Sequence, residues 1–102
     1  IVINHGTNDG SASANDFKTA YNQFLKDIKA IYSGVRVFVM IPFNQAHAAT
    51  IRTIVSENEG VYLIETSSWT GIEKADGTHP TKAGAEVAGN YLANAMIDLI
   101  YG

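Results

Sequence analysis

Cysteine is absent from this sequence of 102 residues. Disulfide bonds, thiolate zinc sites and a cysteine nucleophile are therefore excluded. The lack of cysteine does not fix the compartment, because cysteine-free proteins occur inside cells and also among secreted bacterial proteins. Secretion from a bacterium is the working hypothesis.

Positive charge and long apolar runs are also scarce. There are 7 Lys and Arg residues against 10 Asp and Glu residues, which gives a net charge of −3. Nucleic-acid-binding domains normally present a basic face, and anionic membranes attract polybasic segments, so we expect neither partner. The longest apolar run, residues 35–43, contains Arg36 and is too short to span a bilayer.

The start of the sequence lacks the features of a natural N-terminus. It opens inside an apolar run, residues 1–3, with neither an initiator methionine nor a signal peptide. We interpret residues 1–102 as a single domain that is the C-terminal portion of a larger one, with earlier strands missing. The first strand should then have an open edge, which either pairs with another chain or is exposed as apolar surface.

Apolar runs alternate with segments of helical periodicity. Continuous apolar runs predict strands at residues 1–4, 35–41 and 61–64, and the three- and four-residue spacing predicts helices near residues 14–33, 46–57 and 80–100. This order predicts an α/β fold in which right-handed βαβ units form a parallel sheet with helices on both faces.

Local signals refine the helices. Ser13 or Asn15 is expected to cap the first helix, and Pro80 to open the last one, where its missing N–H has no partner to lose. Gly84 and Gly89 lie inside the last helix and predict close approach of a neighbouring backbone. The residues expected on the buried helix faces are Phe17, Tyr21, Phe24, Leu25, Ile28, Ile31, Ala48, Ile51, Ile54, Val55, Val87, Ala88, Tyr91, Leu92, Ala95, Met96 and Leu99.

Residues 76–80, with the sequence Asp-Gly-Thr-His-Pro, carry the clearest chemical signal. His79 is suited to moving protons near neutral pH. Asp76 can accept a hydrogen bond from one imidazole nitrogen, which fixes the tautomer and stabilises the imidazolium form. The alternative interpretation is structural, because an Asp in this position often caps a helix or forms an Asx turn.

A second polar segment, residues 6–9 with the sequence Gly-Thr-Asn-Asp, follows the first predicted strand. The carboxyl ends of parallel strands share one rim of the sheet, so Asn8 can converge with Asp76 and His79. The Asn8 carboxamide could donate to a developing oxyanion, and Gly6 allows a tight turn beside it. Asp9 is expected only to stabilise its own loop.

These two segments resemble the third (G-x-N-D) and fifth (D-x-x-H, commonly followed by Pro) sequence blocks of the SGNH, or GDSL-type, hydrolases. The resemblance covers essentially the whole chain. It implies a flavodoxin-like three-layer α/β/α sandwich and metal-free, cofactor-free ester hydrolysis. It also implies that Asp76 and His79 belong to a catalytic triad, with Asn8 in the oxyanion hole and an ester, such as an acylated carbohydrate, as substrate.

The sequence departs from that family in one important respect. The Gly-Asp-Ser block that carries the nucleophile is absent, as is the block whose glycine completes the oxyanion hole. The nucleophile is therefore expected on a missing N-terminal segment, and this chain alone is expected to be inactive. The competing hypothesis is a non-catalytic α/β module that only binds or assembles.

Other polar residues have simpler interpretations. Ser67 and Ser68 follow the third strand, but neither lies in a Gly-Asp-Ser or G-x-S-x-G setting, so we expect local hydrogen bonds. Trp69 either lines a pocket or covers the core.

The remaining histidines have open roles. His5 could reach a substrate, although a hydrogen-bonded loop histidine is favoured, and His47 is expected to face solvent. A zinc site from these two residues and His79 has no supporting ligand spacing.

Overall fold

The computed structural model describes all 102 residues and contains three strands and three helices in strict alternation. The elements are β1 (Val2–Ile3), α1 (Ala14–Ile31), β2 (Val37–Met40), α2 (Ala48–Glu57), β3 (Val61–Ile64) and α3 (Lys82–Tyr101). The strands form one parallel sheet in the order β1-β2-β3. The predicted α/β class and parallel sheet are confirmed.

The helices cover both faces of the sheet, as the βα pattern predicts. Along β2, alternate side chains point to opposite faces. Val37 and Val39 pack with side chains of α1 and α2, whereas Phe38 and Met40 pack with side chains of α3. The larger cluster, on the side of α1 and α2, includes Leu25, Ile51 and Ile54 without any exposed surface.

The first strand is less buried than its sequence predicts. Val2 lies beside Phe38 in the parallel register, on the face that α3 covers, yet 40% of Val2 is exposed. A helix about 10 Å across covers about two strands spaced 4.8 Å apart. Because α3 packs on β2 and β3, it leaves Val2 partly uncovered, so β1 is only partly buried although its continuous apolar run predicts a strand covered on both faces.

Three residues expected on buried helix faces are exposed, namely Phe24, which is 39% exposed on one side of α1, and two residues near helix ends. Ile31, at the end of α1, is 71% exposed, and Leu99, near the end of α3, is 40% exposed. An 18-residue helix is about 27 Å long, whereas a strand of four residues spans only about 13 Å. The helix ends therefore overhang the sheet, and Ile100 rather than Leu99 packs against the core near the end of α3.

The helix starts depend on side-chain caps. Ser13 caps α1 by accepting a hydrogen bond from the backbone N–H of Asp16 at 3.1 Å, which decides between the two predicted candidates. Thr81 caps α3 by accepting from the backbone N–H of Gly84, so α3 begins after Pro80 rather than at it. Pro80 instead forms an isolated antiparallel bridge with Lys74.

The two glycines of α3 differ in their surroundings. A Cβ atom on Gly84 would collide with the backbone of Glu73, so the predicted close approach is confirmed there. No atom outside the helix lies within 4 Å of a Cβ built on Gly89, so the same prediction is wrong at that position.

The outer edge of β1 has no strand partner among these residues, because β1 pairs only with β2. A groove of about 330 Å³ lies between the loop that follows β1 and one side of α1. Its apolar wall includes Phe17, Tyr21 and Phe24, and the Tyr21 hydroxyl is buried there without a hydrogen-bond partner. No helix of the structure has both the length and the hydropathy needed to cross a membrane.

Candidate active site

The Asp76–His79 segment lies at the tip of a hairpin-like loop between β3 and α3. The backbone N–H of Ala75 donates to the His79 carbonyl at 3.1 Å, and that of Thr81 donates to the Glu73 carbonyl at 2.9 Å. Gly77 turns the chain at the tip with φ of +78°, a conformation that glycine adopts without steric cost. The two backbone bonds tie the loop to the start of α3.

Asp76 uses both carboxylate oxygens within this turn. Its Oδ1 accepts the backbone N–H groups of Thr78 at 2.9 Å and of His79 at 2.7 Å. Its Oδ2 lies 2.7 Å from Nδ1 of the His79 ring. The carboxylate–imidazole contact predicted from the sequence is therefore present, and so is the Asx-turn contact of the structural alternative. One residue makes both.

The hydrogen bonds also determine the ionisation of Asp76. The backbone N–H of His79, then the His79 ring, then the backbone N–H of Thr78 stabilise the carboxylate and hold its pKa well below the usual range. Asp76 is therefore ionised throughout the neutral range. A carboxylate can only accept at this contact, so His79 carries a proton on Nδ1.

The other ring nitrogen of His79 is available. Nε2 makes no hydrogen bond within the chain, and 60% of the side chain is exposed. With Nδ1 protonated, the neutral ring presents a bare Nε2 lone pair toward solvent. This arrangement can take a proton from an incoming hydroxyl group and return it later.

Asn8 lies in the turn that follows β1. The backbone N–H of Asp9 donates to the Gly6 carbonyl at 3.0 Å and closes this turn. Gly6 has φ of +119°, and a Cβ atom there would lie 3.2 Å from both Phe17 and Pro42, so only glycine fits without strain. The Asn8 side chain is exposed and makes no hydrogen bond with Asp76 or His79.

Two residues of the loop between β2 and α2, Asn44 and His47, contact the turn that contains Asn8. The Asn44 Nδ2 donates to the Thr7 carbonyl at 2.9 Å, and the His47 Nε2 lies 2.6 Å from the Asp9 carbonyl. The prediction that His47 faces solvent is wrong, because its ring also stacks on Phe17. Their position after the second strand, on the same rim as Asn8, is the signal that could have identified them.

Ser67, Ser68 and Trp69 do not contact the Asp76–His79 pair either. Ser67 and Ser68 form the corner of a turn that the Trp69 N–H closes onto the Thr66 carbonyl at 3.0 Å, and neither serine hydrogen bonds to His79. Trp69 packs against the core residues beneath α3, so it covers the core.

His5 makes no side-chain hydrogen bond, contrary to the favoured interpretation. Instead, its ring packs edge-on against Phe24 with 5.0 Å between centroids. It lines the groove between its own loop and α1, and neither Asp76 nor His79 lines that groove. No group of three or more His, Asp or Glu side chains is arranged to hold a metal ion.

Scans of protein-family models, curated proteins and solved structures found no match to this chain. The structure alone therefore describes the class of this protein, which is an α/β protein with an exposed His–Asp pair.

Proposed function

We propose that this chain supplies the His–Asp pair and an oxyanion donor of a serine-type ester hydrolase of the SGNH kind. The observation that carries the proposal is the contact of 2.7 Å between His79 Nδ1 and an Asp76 carboxylate oxygen, together with an unbonded Nε2. A general base requires a carboxylate on Nδ1 and a bare Nε2, and a histidine that only stabilised its loop would not need the bare Nε2.

In the proposed reaction, a serine hydroxyl from outside these residues attacks the ester carbonyl. Its proton passes to Nε2 of His79, and Asp76 stabilises the imidazolium that forms. The tetrahedral oxyanion accepts a hydrogen bond from the Asn8 carboxamide. His79 then gives its proton to the alkoxy oxygen, the carbon–oxygen bond breaks, and the alcohol leaves an acyl-serine.

Water completes the cycle by the same proton transfers. His79 takes a proton from the attacking water molecule, and the second tetrahedral intermediate collapses. The bond to the serine oxygen breaks as that oxygen regains its proton, which releases the carboxylic acid. No cofactor or metal takes part in this proposal. The substrate class is a small ester, with an acetyl or short acyl group on a carbohydrate as the leading candidate.

The competing proposal is a non-catalytic α/β module that binds or assembles. The observation in its favour is that Asp76 Oδ1 makes the contacts of an Asx turn, with 57% of its side chain exposed. Under this alternative, the Asp76–His79 contact only shapes the loop. Association would then use the open edge of β1. In the hydrolase proposal, the serine-bearing segment pairs with that edge instead.

The test is to supply a serine-bearing segment. A longer protein that carries an upstream Gly-Asp-Ser sequence is expected to hydrolyse p-nitrophenyl acetate, whereas residues 1–102 alone are not. His79→Ala should abolish this activity. His5→Ala is the matched control and should retain it, because His5 makes no hydrogen bond in the structure.

Two results would count against the hydrolase proposal. One is full activity in the His79→Ala variant of the longer protein. The other is an upstream segment that contains no serine able to reach the sheet rim. Either result leaves the non-catalytic module as the remaining proposal.

A further inference from the structure

The loop between β2 and α2 holds an unusual backbone conformation. Gln45 and His47, with φ of 61° and 54°, are the two non-glycine residues of the chain with positive φ. L-residues adopt this left-handed region at a steric cost, and such residues gather at functional sites when the surroundings enforce them. Here Gln45 is held by a hydrogen bond from its Nε2 to the buried Thr66 hydroxyl at 3.0 Å.

In this conformation, the Asn44 side chain contacts the loop that contains Asn8. The Asn44 Nδ2 donates to the Thr7 carbonyl at 2.9 Å, while its Oδ1 accepts the backbone N–H of Ala46 at 3.1 Å. The carboxamide nitrogen thus faces an acceptor, and the carboxamide oxygen faces a donor. A flipped amide would set oxygen against a carbonyl and nitrogen against an N–H, so the orientation is fixed.

His47 reaches the other side of the same loop. Its Nε2 lies 2.6 Å from the Asp9 carbonyl, which can only accept, so Nε2 carries the proton that is donated. The ring stacks on Phe17, with centroids 4.1 Å apart and planes 7° from parallel. Because Phe17 is itself buried, the stack fixes the plane of the imidazole ring.

The two anchored carbonyls belong to the residues immediately before and after Asn8. We infer that Asn44 and His47 are positioning residues that hold the backbone on both sides of Asn8, and so hold its carboxamide ready for an oxyanion. Their catalytic consequence rests on the proposed hydrolase function. Their effect on the Asn8 backbone does not, and it can be measured without any reaction.

The first test uses residues 1–102 and the substitution Asn44→Asp. The carboxylate can still accept from Ala46 but cannot donate to Thr7. Backbone ¹⁵N relaxation should show order parameters for Asn8 that fall from about 0.85 to below about 0.6. Asn94→Asp makes the same chemical change on an exposed face of α3 and should leave the Asn8 order parameter unchanged.

A second variant separates positioning from folding. His47→Gly removes the ring but suits the left-handed backbone, so the start of α2 should form as before. Order at Asp9 should nevertheless fall. Wild-type order at Asn8 and Asp9 in both variants would overturn the inference, because it would show that neither side chain holds the loop.

The kinetic test uses the longer, serine-bearing protein. Loss of positioning should lower kcat roughly tenfold, a fraction of the effect of removing an oxyanion donor, with KM within about twofold. Equal kcat in Asn44→Asp and Asn94→Asp would overturn the catalytic part of the inference. If the parent protein hydrolyses no ester, the proposed function fails instead, and the order parameters still decide whether these residues hold the loop.

Discussion

The double role of Asp76 leads to a sharp prediction for Asp76→Asn. An asparagine can keep a carbonyl oxygen toward the backbone N–H groups of Thr78 and His79, so the turn should survive. The atom facing the His79 ring then becomes an NH₂ group, which donates instead of accepting. Nδ1 must become the acceptor, and the ring proton should move to Nε2.

The size of the effect follows from the exposure of the pair. In a buried triad, the corresponding change lowers kcat about 10⁴-fold, because the wrong tautomer has no lone pair for the serine proton. The side chains of Asp76 and His79 are 57% and 60% exposed, so water competes for both ring nitrogens, and a minor tautomer with a free Nε2 lone pair persists in Asp76→Asn. In the serine-bearing protein we therefore expect a smaller loss, of about 10²- to 10³-fold.

The tautomer can be observed without activity. Long-range ¹H–¹⁵N correlation spectra of residues 1–102, recorded where His79 is neutral, should show a protonated Nδ1 in the wild type and a protonated Nε2 in Asp76→Asn. Backbone signals of Thr78 should stay close to their wild-type positions. The same tautomer in both proteins would refute the reasoning, since it would show that Asp76 does not select the ring proton.

Acid titration tests the same carboxylate independently. Its pKa is lowered in the folded chain, so its stabilising effect is fully present above the unfolded value of about 3.9 and is lost as the pH falls through the lower folded value. The side-chain carboxyl ¹³C signal of Asp76 should therefore show no protonation step down to about pH 4 and should titrate only below it. A transition centred near pH 3.9 would contradict the hydrogen-bonded geometry.

Two further predictions concern packing and the sheet edge. Gly84→Ala should lower the free energy of unfolding by about 1–3 kcal/mol, because the added methyl group meets the backbone of Glu73. Gly89→Ala should raise the free energy of unfolding by about 0.5–1 kcal/mol, because nothing outside the helix opposes its methyl group. Urea titrations measure both changes, and equal effects would contradict the difference between the two sites. If β1 associates through its open edge, Val2→Lys should abolish concentration-dependent sedimentation of residues 1–102, and Val35→Lys, at a site of similar exposure, should preserve it.

The features that the sequence predicted well are those decided within a few residues. β3 occupies residues 61–64 as expected, between a Gly-containing turn and a polar loop. Ser13 caps α1 because its hydroxyl accepts the backbone N–H of Asp16, three residues later, and this contact does not depend on where the helix packs. The contact between Asp76 and His79 also belongs to this group, because one turn contains both residues.

The features that the sequence missed depend on how far one element reaches over another. Val2 and Leu99 have the side chains of core residues, but α3 is too narrow to cover the first and too long to bury the second. The direction of the His47 ring was not predictable either, because it depends on a left-handed backbone conformation that no local sequence pattern indicates.

The Asp76–His79 turn and the Asn8 loop should respond differently to mutations elsewhere in the chain, because one is held by local contacts and the other by contacts between elements. The Asp76–His79 turn is closed by its own hydrogen bonds and should persist under mutations elsewhere in the sheet. If Asn44 positions Asn8 as we infer, the orientation of Asn8 depends on β1 lying beside β2, because Asn44 contacts the Asn8 loop from just beyond the carboxyl end of β2. Mutations that loosen the pairing of β1 should therefore disturb the proposed oxyanion donor while leaving the proposed base intact, and a serine-bearing segment that pairs with β1 would stabilise that donor as well as supply the nucleophile.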